Sequence, residues 1–437
     1  MSSPSLGPAL ERLAQLRSRR PPRVPDLFGQ VKEVVVVASS SRGGSSVFME
    51  MLRHSSDLLH FRAEINPFLV MAGLSHPDTG TGSDALDARH LGDLEVLQTE
   101  MAQDVGNLRS LEDADQESFA RSLTWRLLAQ WPCLDVREEE VRECLTQALS
   151  RLADEEEGPA TPRLQVFHAH FLRAIRRIHP QVNPYFYDLD DALLARQFPD
   201  LAVPSGPPSP VVLEEPPFVP IAPWRLASSE EFARPLIIKT PSNAYRLPFL
   251  KGLFPKARFR ILHLVRNPAA AINGLYDGWR YRGFHSHFLG EALDIRGYSD
   301  DRPQDAMWWK YDLPPGWQEW RDRPLEEVCA FQWRSAHQSI LEFLGDQDCL
   351  RIRFEDLVGP VAKRTDTFVR LCAWLGIPFS SPLRRVVEKG LPPVMATARP
   401  RQRRWFERRE QIEPLCALPA VKDVAGALGY RDSEEWI

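Results

Sequence analysis

Apolar residues recur along the chain in two rhythms. Val34–Val37, Leu236–Ile238 and the run "ILHLV" at 261–265 are short and almost unbroken. They lack the alternation of a half-solvated strand, and so predict strands buried on both faces of a sheet. A further strand is expected over "CLRIRFEDLV", 349–358. Between and after these runs the apolar positions shift to helical spacing. Helices are expected at "MEMLRHSSDLL", "NAYRLPFLKGLFP", "AAAINGLYDGW", "CAFQWRSAHQSILEFL" and "VAKRTDTFVRLCAWLGIPF". Strands alternating with helices predict an α/β fold with a parallel sheet and helices on both of its faces.

Residues 76–235 break this alternation. Helical patterns appear at "DLEVLQTEMAQDVGNL", "DQESFARSLTWRLLAQW", "EEEVRECLTQALSRLADEEE" and "RLQVFHAHFLRAIRRIHP". "FPDLAVPSGPPSPVVLEEPPFVPIAPW" carries too much proline for a helix or a central strand. The expectation is a large, mainly helical insertion ending in a Pro-rich loop that shapes a binding site. Residues 1–30 read as a short amphipathic helix followed by a Pro/Arg linker, and 31–437 as one domain containing the insertion.

Composition narrows the function. The chain has 437 residues, 43% of them hydrophobic and 26% charged, as in a globular protein. A net charge of -5 and a pI near 6.2 argue against a nucleic-acid partner, so an anion site must be local. Cysteines at 133, 144, 329, 349, 372 and 416 form no CxxC pair, and reduced thiols are expected. No metal-ligand cluster stands out. No apolar run reaches the length of a membrane span, and no signal-peptide core is visible near the N-terminus; a soluble, cytoplasmic protein is expected.

The chemistry gathers where the first strand ends. "VVVVASSSRGGSSVFMEML" places a small-residue loop between a buried strand and a helix start. Backbone N–H groups at such a helix N-terminus cradle an anion. Gly43 and Gly44 permit close approach, Ser45 and Ser46 add hydroxyl donors, and Arg42 adds charge. This is not a Walker A loop, since no Gly-Lys-Ser/Thr occurs. "GTGSDA" at 80–85 imitates a dinucleotide fingerprint, but no strand precedes it.

Four segments in order resemble the PAPS-dependent sulfotransferases: "SRGGSSVFMEML", "IIKTPSNAYRLPFLKGLFPKARF", "RFRILHLVRNPAAAINGLY" and "RIRFEDLVGPVAKRTDTFVRLCAWLGIPF". The resemblance covers about residues 31–70 and 235–385. It implies a P-loop nucleotide-kinase-like fold, PAPS as the sulfuryl donor, no metal, and a hydroxyl of a small metabolite, lipid or glycan as acceptor. By it, Arg42, Gly43, Gly44, Ser45 and Ser46 would cradle the 5′-phosphosulfate and Arg266 would bind the 3′-phosphate. The family usually has a serine eight residues after that arginine; here Gly274 stands there, with Asn273 beside it. Late basic segments of the family close over the 3′-phosphate, which nominates Arg401, Arg403 and Arg404.

The transfer needs positive charge at the leaving phosphate and a base for the incoming hydroxyl. Lys239, ending its strand, suits the first role. Glu64 resembles the basic glutamate of the glycan and protein-tyrosine sulfotransferases, and His285 and His287 are its rivals. Trp279, Tyr281 and Phe284 are candidates for core or for an acceptor wall. Glu355 and Asp356 are expected to be structural, holding nearby arginines. The competing readings are a nucleotide-binding protein of this fold without transferase activity, and a kinase with a degenerate loop.

Overall fold

The computed structural model describes residues 7–19, 26–154, 162–209 and 211–431. The N-terminal helix runs from Gly7 to Ser18 and buries Ala9 and Leu13 in the main core; most of the expected Pro/Arg linker lies outside the described residues.

Four strands form the central sheet: β1 (Glu33–Ala38), β2 (Leu236–Lys239), β3 (Arg258–Val265) and β4 (Asp348–Arg353). Their order is β2-β1-β3-β4, and every pairing is parallel. Val34–Val37 are each 0–1% exposed, as the unbroken apolar run required. Their side chains alternate across the sheet. Val34 and Val36 join the cluster that holds Leu59, Phe68, Leu250 and Ile340, whereas Val35 and Val37 join Phe48, Leu52, Phe368 and Leu371. Each fully buried valine contributes about 1.5–3 kcal/mol of transfer free energy. A polar residue at any of the four would leave one helix layer unanchored.

Helix α1 (Ser45–Leu52) follows β1, α2 (Pro268–Trp279) follows β3, and α3 (Leu325–Leu344) precedes β4. Asn267 caps α2 by accepting from Ala270 N at 2.8 Å, and Pro268 occupies its first turn, where a missing N–H costs nothing. The strand expected over 349–358 stops at Arg353. Residues Phe354–Val358 are a short helix.

Helices at Glu95–Ala102, Gln116–Gln130, Glu138–Ala153 and Arg163–Ile175 stand within 76–235. Their buried faces belong to the same core as one face of the sheet. Among its described residues the Pro-rich stretch carries no helix or strand before the pair formed by Trp224–Leu226 with Gly106–Leu108. All six cysteines are free; Cys133 alone is exposed. Among the described residues no helix is long and apolar enough to cross a membrane.

Because the four strands are parallel, their carboxyl ends share one edge of the sheet. Ala38, Lys239, Val265 and Arg353 therefore finish side by side. In open α/β sheets, ligand sites form outside this edge.

Candidate functional site

A cavity of about 500 Å³ opens there. Each sheet strand hands it residues. From β1 comes the turn Ser39–Gly44. Arg42 sits at φ 60° and Gly44 at φ 93°, a left-handed pair that bends the chain into α1. A Cβ on Gly44 would lie 2.0 Å from Phe354 Cδ2, so both its torsion and its neighbour require glycine. Gly44→Ala is accordingly expected to lower the Tm and distort the loop at a cost of about 1–3 kcal/mol, read by thermal unfolding. An unchanged Tm would mean that Phe354 yields freely.

The loop is held from below. Ser41 Oγ donates to Asp312 Oδ1, and Tyr245 OH to Asp312 Oδ2 at 3.2 Å. Burial pushes the Asp312 carboxyl up to about 6, against the Ser41 hydrogen bond. Three buried donors of this turn, Ser39 Oγ, Ser40 Oγ and Arg42 Nε, have no partner among the described residues. Buried polar groups are normally satisfied; such orphans in a loop at a helix N-terminus fit an oxyanion ligand.

From β2 comes Lys239. Its Nζ contacts Glu64 Oε1 and lies 3.4 Å from Ser46 Oγ. Ile65 N donates to Thr240 Oγ1 at 3.2 Å, which pins the Glu64 segment beside the end of β2. From β3 comes Arg266, whose Nη1 donates to Arg42 O at 3.0 Å and whose guanidinium stacks on the Phe354 ring at 4.7 Å. Burial lowers Arg266 to about 10, with Glu355 opposing and Arg42 reinforcing the fall; it stays a cation at neutral pH.

Helix α2 adds Asn273 and Gly274. A Cβ at 274 would lie 3.3 Å from Arg42 Cβ and 3.7 Å from Arg266 Nη1, so this position faces both arginines. Asn273 Oδ1 accepts from Arg408 Nη1 at 2.6 Å.

The C-terminal segment folds over the cavity. Arg42 Nη1 donates to Met395 O at 2.7 Å, and Met395 N donates to Asp188 Oδ2 at 2.9 Å. Arg401 and Arg404 line the cavity; Arg403 does not, and its guanidinium lies over Phe406 at 5.7 Å. Asp277, one turn beyond Asn273, pairs with Arg404 at 2.5 Å and with Arg408 at 2.8 Å.

Other candidates separate. Gly43 packs under the turn, where a Cβ would meet Ser40 O at 2.8 Å. His285 is fully buried against Trp308, with ring centroids 5.6 Å apart, and does not line the cavity. His287 lies behind the wall, its Nε2 3.4 Å from Asp84 Oδ2. Residues 287–288 pair with 308–309, and Phe288 points to solvent. Phe284 is the exception: it lines the cavity under the Arg42 guanidinium at 5.2 Å, while Trp279 is core. Glu355 lines the cavity, and its charge acts on the nearby Arg266 and Arg353. It accepts from Asn267 N at 3.0 Å, Asn267 Nδ2 at 2.8 Å and Tyr430 OH at 2.7 Å. Asp356 pairs with Lys363 at 2.7 Å.

Sequence reading missed Asp277, Asp312, Phe354 and Glu215. Glu215 lines the cavity from the Pro-rich loop, with Pro216 and Pro217. Only the i, i+4 spacing of Asn273 and Asp277 was visible beforehand; Phe354 follows the end of β4 directly, and Asp312 and Glu215 reach the site through long-range packing. The "GTGSDA" stretch is a loop whose Asp84 is buried and paired with Arg246 at 2.9 Å.

A family model described as "Sulfotransferase family" matches residues 34–381. No match is found among curated proteins. Among solved structures the chain is similar to the sulfotransferase domain of the Synechococcus PCC 7002 olefin synthase, at 15% identity and TM-score 0.33 over 92% of this chain and 96% of that one. It is similar to the sulfotransferase domain from the curacin biosynthetic pathway, at 14% identity and TM-score 0.33 over 92% and 98%. A third is sulfotransferase STF9 from Mycobacterium avium, at 12% identity and TM-score 0.34 over 94% and 82%.

Proposed function

The chain belongs to the sulfotransferase family, and from that premise we propose that it moves a sulfuryl group from PAPS to a hydroxyl of a small metabolite, lipid or glycan. The observation that carries this reading is the convergence of Arg42, Ser45, Ser46, Lys239 and Arg266 on one cavity with Glu64. When bound, PAPS supplies an activated sulfuryl group on a phosphate leaving group. The orphaned donors of the 39–42 turn and the N-terminus of α1 suit its 5′-phosphosulfate. Arg266, a planar bidentate donor, suits its 3′-phosphate.

The acceptor oxygen attacks sulfur as the bond from sulfur to the leaving phosphate oxygen breaks. Glu64 takes the hydroxyl proton, and Lys239 stabilises the charge gathering on the leaving oxygen. Their contact couples the two tasks. Protonation of Glu64 removes the carboxylate charge that holds Lys239 and leaves the ammonium to the departing phosphate. The insertion supplies the acceptor wall, a role supported by Pro216, Pro217 and Val219 in the cavity lining.

Calorimetric titration with PAP, with ADP and ATP as controls, tests the donor assignment. PAP is expected to bind roughly tenfold or more tightly than ADP, since its second phosphate sits at the 3′ position within reach of Arg266, where ADP has none, and a charge-assisted contact there contributes about 1.5–3 kcal/mol. Preference for ATP over PAP would discard the sulfotransferase reading in favour of a kinase.

A further inference from the structure

Resting on that reading of the cavity, we propose that Glu215 is a specificity-determining residue: it receives a cationic or hydrogen-bond-donating group of the acceptor and rejects acceptors that are anionic there. Glu215 arrives on the Pro-rich loop, just ahead of two prolines that stiffen the wall. Both carboxylate oxygens are fastened. Oε1 accepts from Asn66 Nδ2 at 2.8 Å, and Oε2 accepts from Ser286 Oγ at 2.8 Å. Asn66 is itself held by Arg246 Nη1 at 2.6 Å, so the side chain is set in place before any ligand arrives.

A carboxylate offers about four lone-pair sites. Two neutral donors use two, leaving acceptor capacity toward the cavity that Glu215 lines. Among the described residues no Lys or Arg forms an ion pair with it, and the one nearby histidine, His287, is shared with Asp84. Lys239 is engaged by Glu64, Arg246 by Asp84, and His287 by Asp84. A carboxylate largely removed from water with only a shared histidine nearby is unfavourable. Burial, with the nearby charge of Glu64 adding to it and His287 opposing it, pushes Glu215 up to about 7. An ammonium placed there relieves that cost. A carboxylate, sulfate or phosphate adds a further negative charge beside Glu64 and Glu215. The cavity is thus cationic at the 42–46 loop and Arg266, and anionic at the Pro-rich wall.

Three phenols of similar size test this: tyramine, para-ethylphenol and para-hydroxyphenylacetate. Each is titrated calorimetrically into wild type and Glu215→Gln, with and without PAP. Wild type is expected to bind tyramine roughly tenfold or more tightly than para-hydroxyphenylacetate. Glu215→Gln, which keeps the shape and can still accept from Asn66 Nδ2 through its oxygen while donating to Ser286 Oγ through its nitrogen, is expected to erase most of that difference and leave para-ethylphenol within about twofold. A second readout does not depend on the variant. Tyramine affinity should rise as pH passes upward through about 7, where Glu215 ionises, while para-ethylphenol affinity stays level. Equal affinities in wild type, a preference that survives Glu215→Gln, or no tyramine binding overturns the inference. Loss of PAP binding alone strikes instead at the donor assignment, since the phenols are also measured without it.

Discussion

Lys239→Ala is expected to lower the rate of sulfuryl transfer by about two to three orders of magnitude while leaving the fold intact. Removing one preorganised positive group from a site of developing charge typically costs that much. Lys239 is placed for it: its side chain is 10% exposed, at the carboxyl end of β2, in contact with Glu64 and near Ser46. Glu64→Gln should cost about 10²–10⁴ by loss of the base. The two residues form one ion pair, so the double variant should be little worse than the poorer single one, because groups that act as a unit are not additive. Single-turnover rates at saturating PAPS measure all three. If the losses multiply, the two residues act separately. If Lys239→Ala transfers at the wild-type rate, the leaving-group assignment is wrong.

Arg266→Ala is expected to weaken PAP binding by about 10- to 100-fold, the effect of losing about 1.5–3 kcal/mol from a charge-assisted contact. ADP has no 3′-phosphate, and its affinity should change far less. That contrast separates loss of a specific contact from general damage to the loop. The control matters because Arg266 also donates to Arg42 O and stacks on Phe354. Arg266→Lys keeps the charge but loses the planar fork, and should fall between. Equal losses for PAP and ADP would make Arg266 a brace for the 39–44 turn rather than a 3′-phosphate ligand.

Much of the frame was legible because its cause is local. Four apolar β-branched residues in a row cannot stay half-solvated, so β1 had to be a buried strand. The loop after it, rich in Ser and Gly around Arg42, marked a strand-to-helix turn of the kind that suits an anion. Lys239 and Arg266 stood out because each ends an apolar run at a change of pattern. The misread segment, 349–358, continued an apolar rhythm into Phe354–Val358, where Glu355 accepts from Asn267 Nδ2 and Tyr430 OH instead of extending the strand.

The sequence by itself therefore determined the parallel sheet, the family resemblance and the basic residues at the strand ends, all of which depend on short-range pattern. Only the tertiary structure decided what surrounds them. It turned His285 into the core and kept His287 behind Asp84. It seated Asp312 under Ser41, brought Phe354 against Gly44, and led the proline-rich loop back to present Glu215. These contacts join residues far apart in the chain, from Ser41 with Asp312 to Asn66 with Glu215. Periodicity and spacing describe neighbours along the backbone, whereas burial, ion pairing and the direction of a loop follow from packing of the whole core.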